Sequence, residues 1–279
     1  MYFRCQWKGP FPSGGSRRSA TVKAMPETRR SGVRIRYQVV GNGPPLVLVH
    51  GYTASGHSNW VDSGWTEYFA SRYTLLVPDL RGHGSSAKPY SSTAYSVEAL
   101  ARDVIAVMAT EGIASAPVFG YSMGGMVTLR LLLEHPDRID AAVIGGMGSY
   151  FPAGRGRFLI ERQHRESEAP RKPLGARLRY LAAYAARFDP IAVDAVFRGV
   201  FKDGRPVDPA RLNEIRKPVL VAAGSLDAFF EPARQLATQI PGARFVALPN
   251  EGHLSAIRSP RLRDEVAAFL QESAVSRTR

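Results

Sequence analysis

A series of short runs in this chain is apolar on both sides of what would be a strand. They fall at residues 46–49, 73–78, 116–119, 141–144, 218–223 and 244–248. A strand with one wet face alternates, so runs such as Leu46-Val47-Leu48-Val49 read as strands covered on both faces. Between them lie stretches of helical period, at 65–72, 95–111, 126–133, 232–239 and 261–271. The second of these places Val97, Leu100, Val104, Ile105 and Met108 on one face. Such alternation predicts an α/β fold, a mostly parallel central sheet with helices on both faces. Residues 33–40 differ: they alternate with period 2, as an antiparallel edge strand does, and run into the turn Gly41-Asn42-Gly43-Pro44. Open sheets of this kind bind ligands outside the carboxyl ends of their strands.

The alternation breaks from 150 to 212, where Pro170, Pro173, Pro190 and Pro206 interrupt an arginine-rich segment with a helical stretch at 177–187. We expect a helical cap insertion there, over the carboxyl edge of a core formed by 31–149 and 213–279. Residues 1–30 hold seven basic residues against the single acid Glu27, together with the run Gly9-Pro10-Phe11-Pro12-Ser13-Gly14-Gly15-Ser16. They read as a basic, disordered N-terminal extension, with folding beginning after Met25, itself a candidate start. Cys5 is the one cysteine, which excludes a disulfide within the chain and disfavours a cysteine-based metal site, and the composition suits a cytoplasmic protein. No apolar run approaches the roughly 20 residues a membrane span needs. The formal charge of +13 is carried partly by the tail and partly by 155–205, where acids interleave with the bases. That second stretch reads as a solvated helical surface, or as a rim that steers anionic substrates. Neither a nucleic-acid reading module nor an aromatic stacking platform accompanies it, so no nucleic-acid partner is expected.

Gly120-Tyr121-Ser122-Met123-Gly124-Gly125 stands between the strand at 116–119 and the helix at 126–133. Small residues two before and two after Ser122 give room for a sharp strand-to-helix bend that exposes its hydroxyl. The same residues could serve only as a glycine-rich turn. A serine nucleophile needs a base within hydrogen-bond reach, and the base needs an acceptor to set its tautomer. Of the six histidines, His253 lies in a loop between the last strand and the last helix. Asp227, in Gly224-Ser225-Leu226-Asp227, follows the preceding strand, 26 residues earlier. Both emerge at the edge that carries Ser122. Taken singly, Asp227 could be a helix cap and His253 a surface residue; together they give the order Ser…Asp…His. Attack on a carbonyl also needs N–H donors for the developing oxyanion. The backbone N–H groups of Met123 and of Tyr52, in His50-Gly51-Tyr52-Thr53, are the candidates.

With these residues in place the chain resembles the α/β-hydrolase superfamily over nearly everything after about residue 30. The matching pieces are His50-Gly51, Asp79-Leu80-Arg81-Gly82-His83-Gly84, Gly120-x-Ser122-x-Gly124, Gly224-x-x-Asp227 and Gly252-His253. The resemblance implies Ser122 as nucleophile, His253 as base, Asp227 as orienting acid, Tyr52 and Met123 as oxyanion donors, and structural roles for His83 and His50. Haloalkane dehalogenases and epoxide hydrolases of this superfamily carry aspartate at the elbow, where this chain has Ser122. An acid after the sixth strand is the other known layout, but Gly145-Gly146-Met147-Gly148 offers none. The 51–56 loop lacks both the consecutive glycines of lipases and the Gly-Pro-Gly of many carbon–carbon bond hydrolases. The expectation is a serine carboxylesterase with a cap, acting on a small to medium ester through an acyl-enzyme without cofactor or metal. A carbon–carbon hydrolase, lactonase, perhydrolase or weakly catalytic ligand receptor remains the alternative. Tyr121, Met147, Phe229 and Leu254 flank the catalytic positions and either line an acyl pocket or pack in the core.

Overall fold

Each apolar run becomes a strand of one sheet. The computed structural model describes residues 25–149, 175, 188–201 and 207–277. In chain order the elements are β1 (Glu27–Arg30), β2 (Val33–Gly41), β3 (Pro45–Val49), α1 (Trp65–Phe69), β4 (Thr74–Pro78), α2 (Val97–Thr110), β5 (Ala116–Tyr121), α3 (Met123–Glu134) and β6 (Ile139–Gly145). They continue as α4 (Pro190–Val200), α5 (Pro209–Leu212), β7 (Val219–Gly224), α6 (Phe230–Gln239), β8 (Arg244–Leu248), α7 (His253–Ala256) and α8 (Pro260–Arg277). The strands form an eight-stranded sheet in the order β1-β2-β4-β3-β5-β6-β7-β8. From β4 to β8 all neighbours are parallel, while β1 and β2 run antiparallel. The carboxyl ends of β3 to β8 therefore lie along one edge.

The sheet has an apolar layer on each face, as its unalternating strands require. Val47 and Val49 of β3 pack with α2, α3 and α6, through residues such as Val104, Val127 and Leu236. Leu46 and Leu48 of the same strand face the other way, toward Trp65 and Phe69 of α1 and Leu262 and Val266 of α8. Each such side chain, once fully buried, contributes about 1.5–3 kcal/mol.

Two expectations are corrected. Residues 27–30, assigned to the disordered extension, are strand β1. It turns back on β2 through Ser31 and Gly32, both at positive φ (49° and 76°). Glu27 accepts an ion pair from Arg36 at 3.2 Å, which a count of bases against acids does not see. Strand β2 is consequently inside the sheet, not at its edge. Of the expected insertion, α4 and α5 are helices, whereas the helix expected at 177–187 lies outside the described residues.

The front of the sheet is tied down by a buried ion cluster. Arg81 makes two 2.6 Å hydrogen bonds to the two carboxylate oxygens of Asp103 on α2 and a third, at 2.7 Å, to the Ala94 carbonyl. Arg30 of β1 reaches the same carboxylate at 3.4 Å. Burial pushes the Asp103 carboxyl above its ordinary value although both guanidiniums oppose the shift. Breaking such a pair from one side leaves a buried charge uncompensated. Asp103→Asn should therefore lower the unfolding free energy by about 3–5 kcal/mol, read as a lower urea midpoint; an unchanged midpoint would show that the cluster does not hold the strand and helix together.

Candidate active site

Ser122 stands alone between β5 and α3 at φ 56° and ψ −119°. Its N–H donates to the Gly145 carbonyl at 2.8 Å, carrying the β5–β6 pairing one residue further. Its own carbonyl accepts from the N–H groups of Gly125 and Met126, so it opens the helix. The bend requires backbone to touch backbone. A Cβ on Gly120 would run into the Gly124 carbonyl and the Thr128 hydroxyl, and one on Gly124 into the carbonyls of Val49 and His50. A non-glycine residue in such a conformation stores about 1–3 kcal/mol.

The loop after β3 passes directly beside Ser122. A Cβ on Gly51 would lie 3.2 Å from the Ser122 Cβ. This loop is fastened by groups that the sequence reading did not single out. The Gly51 N–H donates to Asn59 Oδ1 at 2.9 Å, from a short π-helix at His57–Val61. The Gly56 N–H donates to Asp79 Oδ1 at 2.8 Å, while Oδ2 of the same carboxylate accepts from Ser85. The Asp79–Gly84 motif was legible as a motif, and its carboxylate proves to be the clasp of the 51–56 loop. Tyr52 sends its side chain away from the sheet: its hydroxyl donates to the Val193 carbonyl of α4 at 3.0 Å, and its ring packs on Phe197 and Phe201. Met123 is the first residue of α3, where N–H groups have no carbonyl partner within the helix.

His50 and His83 are buried edge-to-face neighbours, with ring centroids 5.1 Å apart. A carbonyl only accepts, so His50 Nδ1 carries the proton that goes to Gly51 O, and Nε2 is left to accept the Leu80 N–H at 2.9 Å. Burial pushes the His50 imidazole down to about 4 and His83 down to about 3, the latter helped by His50. Both stay neutral and shape the loops, as the resemblance implied.

Asp227 and His253 meet at the other end of the edge. His253 Nδ1 lies 2.8 Å from Asp227 Oδ2, and Asp227 Oδ1 accepts from the Phe229 N–H at 2.9 Å. Their two loops are zipped together by the Leu226 N–H on the Glu251 carbonyl and the Asn250 N–H on Ser225 Oγ, each at 2.9 Å. Gly224 leaves space for this, since a Cβ there would meet the Glu251 carbonyl. Rings of Tyr121 and Phe229 flank the imidazole, with centroids 5.4 and 5.5 Å away. Tyr121, Met147 and Phe229 are buried in the core, and Leu254 is half-buried. Among the described residues no group of three or more His, Cys, Asp or Glu side chains is placed to hold a metal ion. No helix among them is long and apolar enough to cross a membrane.

A family model described as the alpha/beta hydrolase fold matches residues 44–147, the stretch from β3 through the serine turn to the end of β6. The chain has the α/β-hydrolase fold. It is 30% identical over 245 residues to the dihydrolipoyllysine-residue acetyltransferase component of an acetoin cleaving system from Cupriavidus necator. That match takes in 80% of this chain but 63% of the relative, so the chain spans less than two thirds of its length. It is also 28% identical over 280 residues to fluoroacetate dehalogenase from a Burkholderia species, covering 86% of this chain and 90% of that one. Among solved structures, an esterase from a Rhodococcus species aligns with a TM-score of 0.71 at 26% identity, over 89% of this chain and 99% of the other.

Two outcomes follow from the geometry of this edge. Ser122→Gly should raise the unfolding free energy by about 1 kcal/mol, because the relief of about 1–3 kcal/mol of strain exceeds the roughly 0.5–1 kcal/mol entropic penalty of glycine. Chemical denaturation decides it, and a destabilised variant would refute the strain. In acid, the unfolded histidines take up protons near their ordinary 6.5 while folded His50 and His83 stay neutral to about 4 and 3. Stability should therefore fall as pH drops below about 6.5, by up to about 1.4 kcal/mol per pH unit for each histidine. Melting temperature against pH measures this, with His50→Asn flattening the slope between pH 6 and 4.5.

Proposed function

We propose that the chain is a serine hydrolase that cleaves carboxylic esters of small to medium substrates through an acyl-enzyme. The observation that carries this reading is the 2.8 Å contact of His253 Nδ1 with Asp227 Oδ2 at the sheet edge that also bears the Ser122 turn. The contact holds the Nδ1 proton toward Asp227 and leaves Nε2 as the basic nitrogen. Ser122 Oγ attacks the ester carbonyl carbon and passes its proton to His253 Nε2. The carbonyl electron pair moves onto oxygen, where the N–H groups of Tyr52 and Met123 receive it. As the tetrahedral centre collapses, the C–O bond to the alcohol breaks and His253 returns the proton to the departing oxygen. Water repeats the sequence on the acyl-enzyme, releasing the acid and restoring Ser122. Each oxyanion donor supplies about 3–4 kcal/mol to the barrier reduction.

The similarity to a Rhodococcus esterase supports this chemistry. A displacement that begins from a carboxylate nucleophile, as in haloalkane dehalogenases, has no such group at Ser122, which weighs against carrying over the likeness to a dehalogenase. Helix α4, joined to Tyr52, supports reading 150–212 as a cap over the site. Lactones and carbon–carbon bonds are the competing substrates for the same residues.

Ser122→Ala should abolish hydrolysis of p-nitrophenyl acetate, a loss of at least about 10³-fold, with the circular dichroism spectrum unchanged. Wild-type protein should take up one fluorophosphonate per chain, and the variant none. Undiminished hydrolysis by the variant removes the nucleophile, and faster turnover of lactones or ring-cleavage products than of esters redirects the substrate class.

A further inference from the structure

Tyr121 precedes the proposed nucleophile, but its side chain ends at the proposed base. Its hydroxyl donates to the backbone carbonyl of His253 at 2.6 Å, spanning 132 positions of sequence. The ring is 3% exposed, so it belongs to the core and does not form a wall open to substrate. The room it occupies is made by the two glycines that end β6. A Cβ on Gly145 would come within 2.5 Å of Tyr121 Cδ2. One on Gly146, at φ 59°, would stand 3.0 Å from Tyr121 Cζ and 3.1 Å from His253 Cε1. The glycines that deprive this strand end of a carboxylate thus form a slot in which the phenol and the imidazole lie together.

A phenylalanine would fill the apolar part of that slot equally well, and a buried phenol is tolerated only where its O–H finds a partner. The partner it finds is the residue whose position matters most. His253 follows a segment whose Asn250 is exposed at φ 61° and in which a Cβ on the half-buried Gly252 would meet nothing within 4 Å. The side chain is held at Nδ1 by Asp227, but that bond alone allows the ring to pivot about the Nδ1–Oδ2 line, and nothing in it fixes the backbone. Tyr121 supplies a further attachment, made to the main chain of His253 itself, beyond the Glu251 and Asn250 contacts that zip the two loops. Burial, reinforced by the charges of Asp227 and Glu251, pushes the phenol far above its ordinary value, so it remains a donor.

We propose that Tyr121 is a positioning residue: its hydroxyl, by holding the His253 carbonyl, sets where the imidazole meets Ser122. The proposal rests on the reading of His253 as the base. A base displaced by a fraction of an ångström transfers a proton less often while the substrate binds as before.

The test is Tyr121→Phe, which removes only the oxygen. Steady-state hydrolysis of p-nitrophenyl acetate should show kcat reduced by about tenfold with KM changed by less than about twofold. Labelling of Ser122 by a fluorophosphonate, which draws on the same base, should slow in parallel and still reach one label per chain. A purely structural role would move the melting temperature and the fraction of labelled chains and leave kcat per labelled site intact. An unchanged kcat overturns the proposal, and so does a raised KM with kcat retained, which would make Tyr121 part of the substrate pocket. If circular dichroism shows that the phenylalanine variant has not folded, Tyr121→Met carries the same expectation. Retained activity in Ser122→Ala would instead remove the proposed function itself, whatever Tyr121 does.

Discussion

Helix α3 lies so close to strands β3 and β5 that main chain rests on main chain at Gly120 and Gly124. Nearly everything at the sheet edge follows from that approach. It forces the chain into a left-handed bend at residue 122, which lifts the serine hydroxyl clear of the strand it came from. It brings the His50 carbonyl against the start of the helix, so the loop after β3 leaves its strand beside the serine. It also sets the first amide of α3 next to that loop. A methyl group at either glycine would push the helix away and separate the parts, although none of the separate hydrogen bonds involves a glycine side chain. The strain of about 1–3 kcal/mol at residue 122 is small beside the two apolar layers that hold the sheet, which is why it persists.

The loop held against the serine is polar, and burial would make its unpaired N–H groups costly. Side chains from elsewhere satisfy them, Asn59 for Gly51 and Asp79 for Gly56, while the neutral imidazole of His50, from the loop itself, accepts the Leu80 N–H of the loop after β4. A charged His50 would present a second N–H to Leu80 where an acceptor is required. Neutrality is therefore a geometric condition of this loop, and the low values of His50 and His83 express it.

What could be read from the sequence divides along physical lines. Strands covered on both faces announce themselves by composition, and β3 to β8 all lie where apolar runs predicted them. The approach of Asp227 to His253 was legible because strand order places both at one edge, and helix and strand lengths then fix their separation. Strand β1 was hidden, since Glu-Thr-Arg-Arg has no apolar pattern and is held by ion pairs to Arg36 on the next strand and to Asp103 far along the chain. Asn59 was hidden because nothing in His57-Ser58-Asn59 marks the backbone N–H, that of Gly51, from which its side chain accepts. The phenol of Tyr121 gave no local signal at all. An aromatic beside a candidate nucleophile suggests a pocket wall, and only the fold reveals the carbonyl that its oxygen reaches.

Tyr52 belongs to two parts of the molecule at once. Its main chain runs beside the serine in the loop after β3, while its hydroxyl is bonded to the Val193 carbonyl in the first turn of α4 and its ring is wedged against Phe197 and Phe201. The side chain is thus a strut between a helix and a turn that are otherwise far apart in sequence. If α4 swings outward, the strut must either detach at its hydroxyl or pull on the turn. If α4 stays seated, the turn is braced from above as well as by Asn59 and Asp79 from within. The position of α4 and the rigidity of that turn are, through one tyrosine, a single mechanical variable.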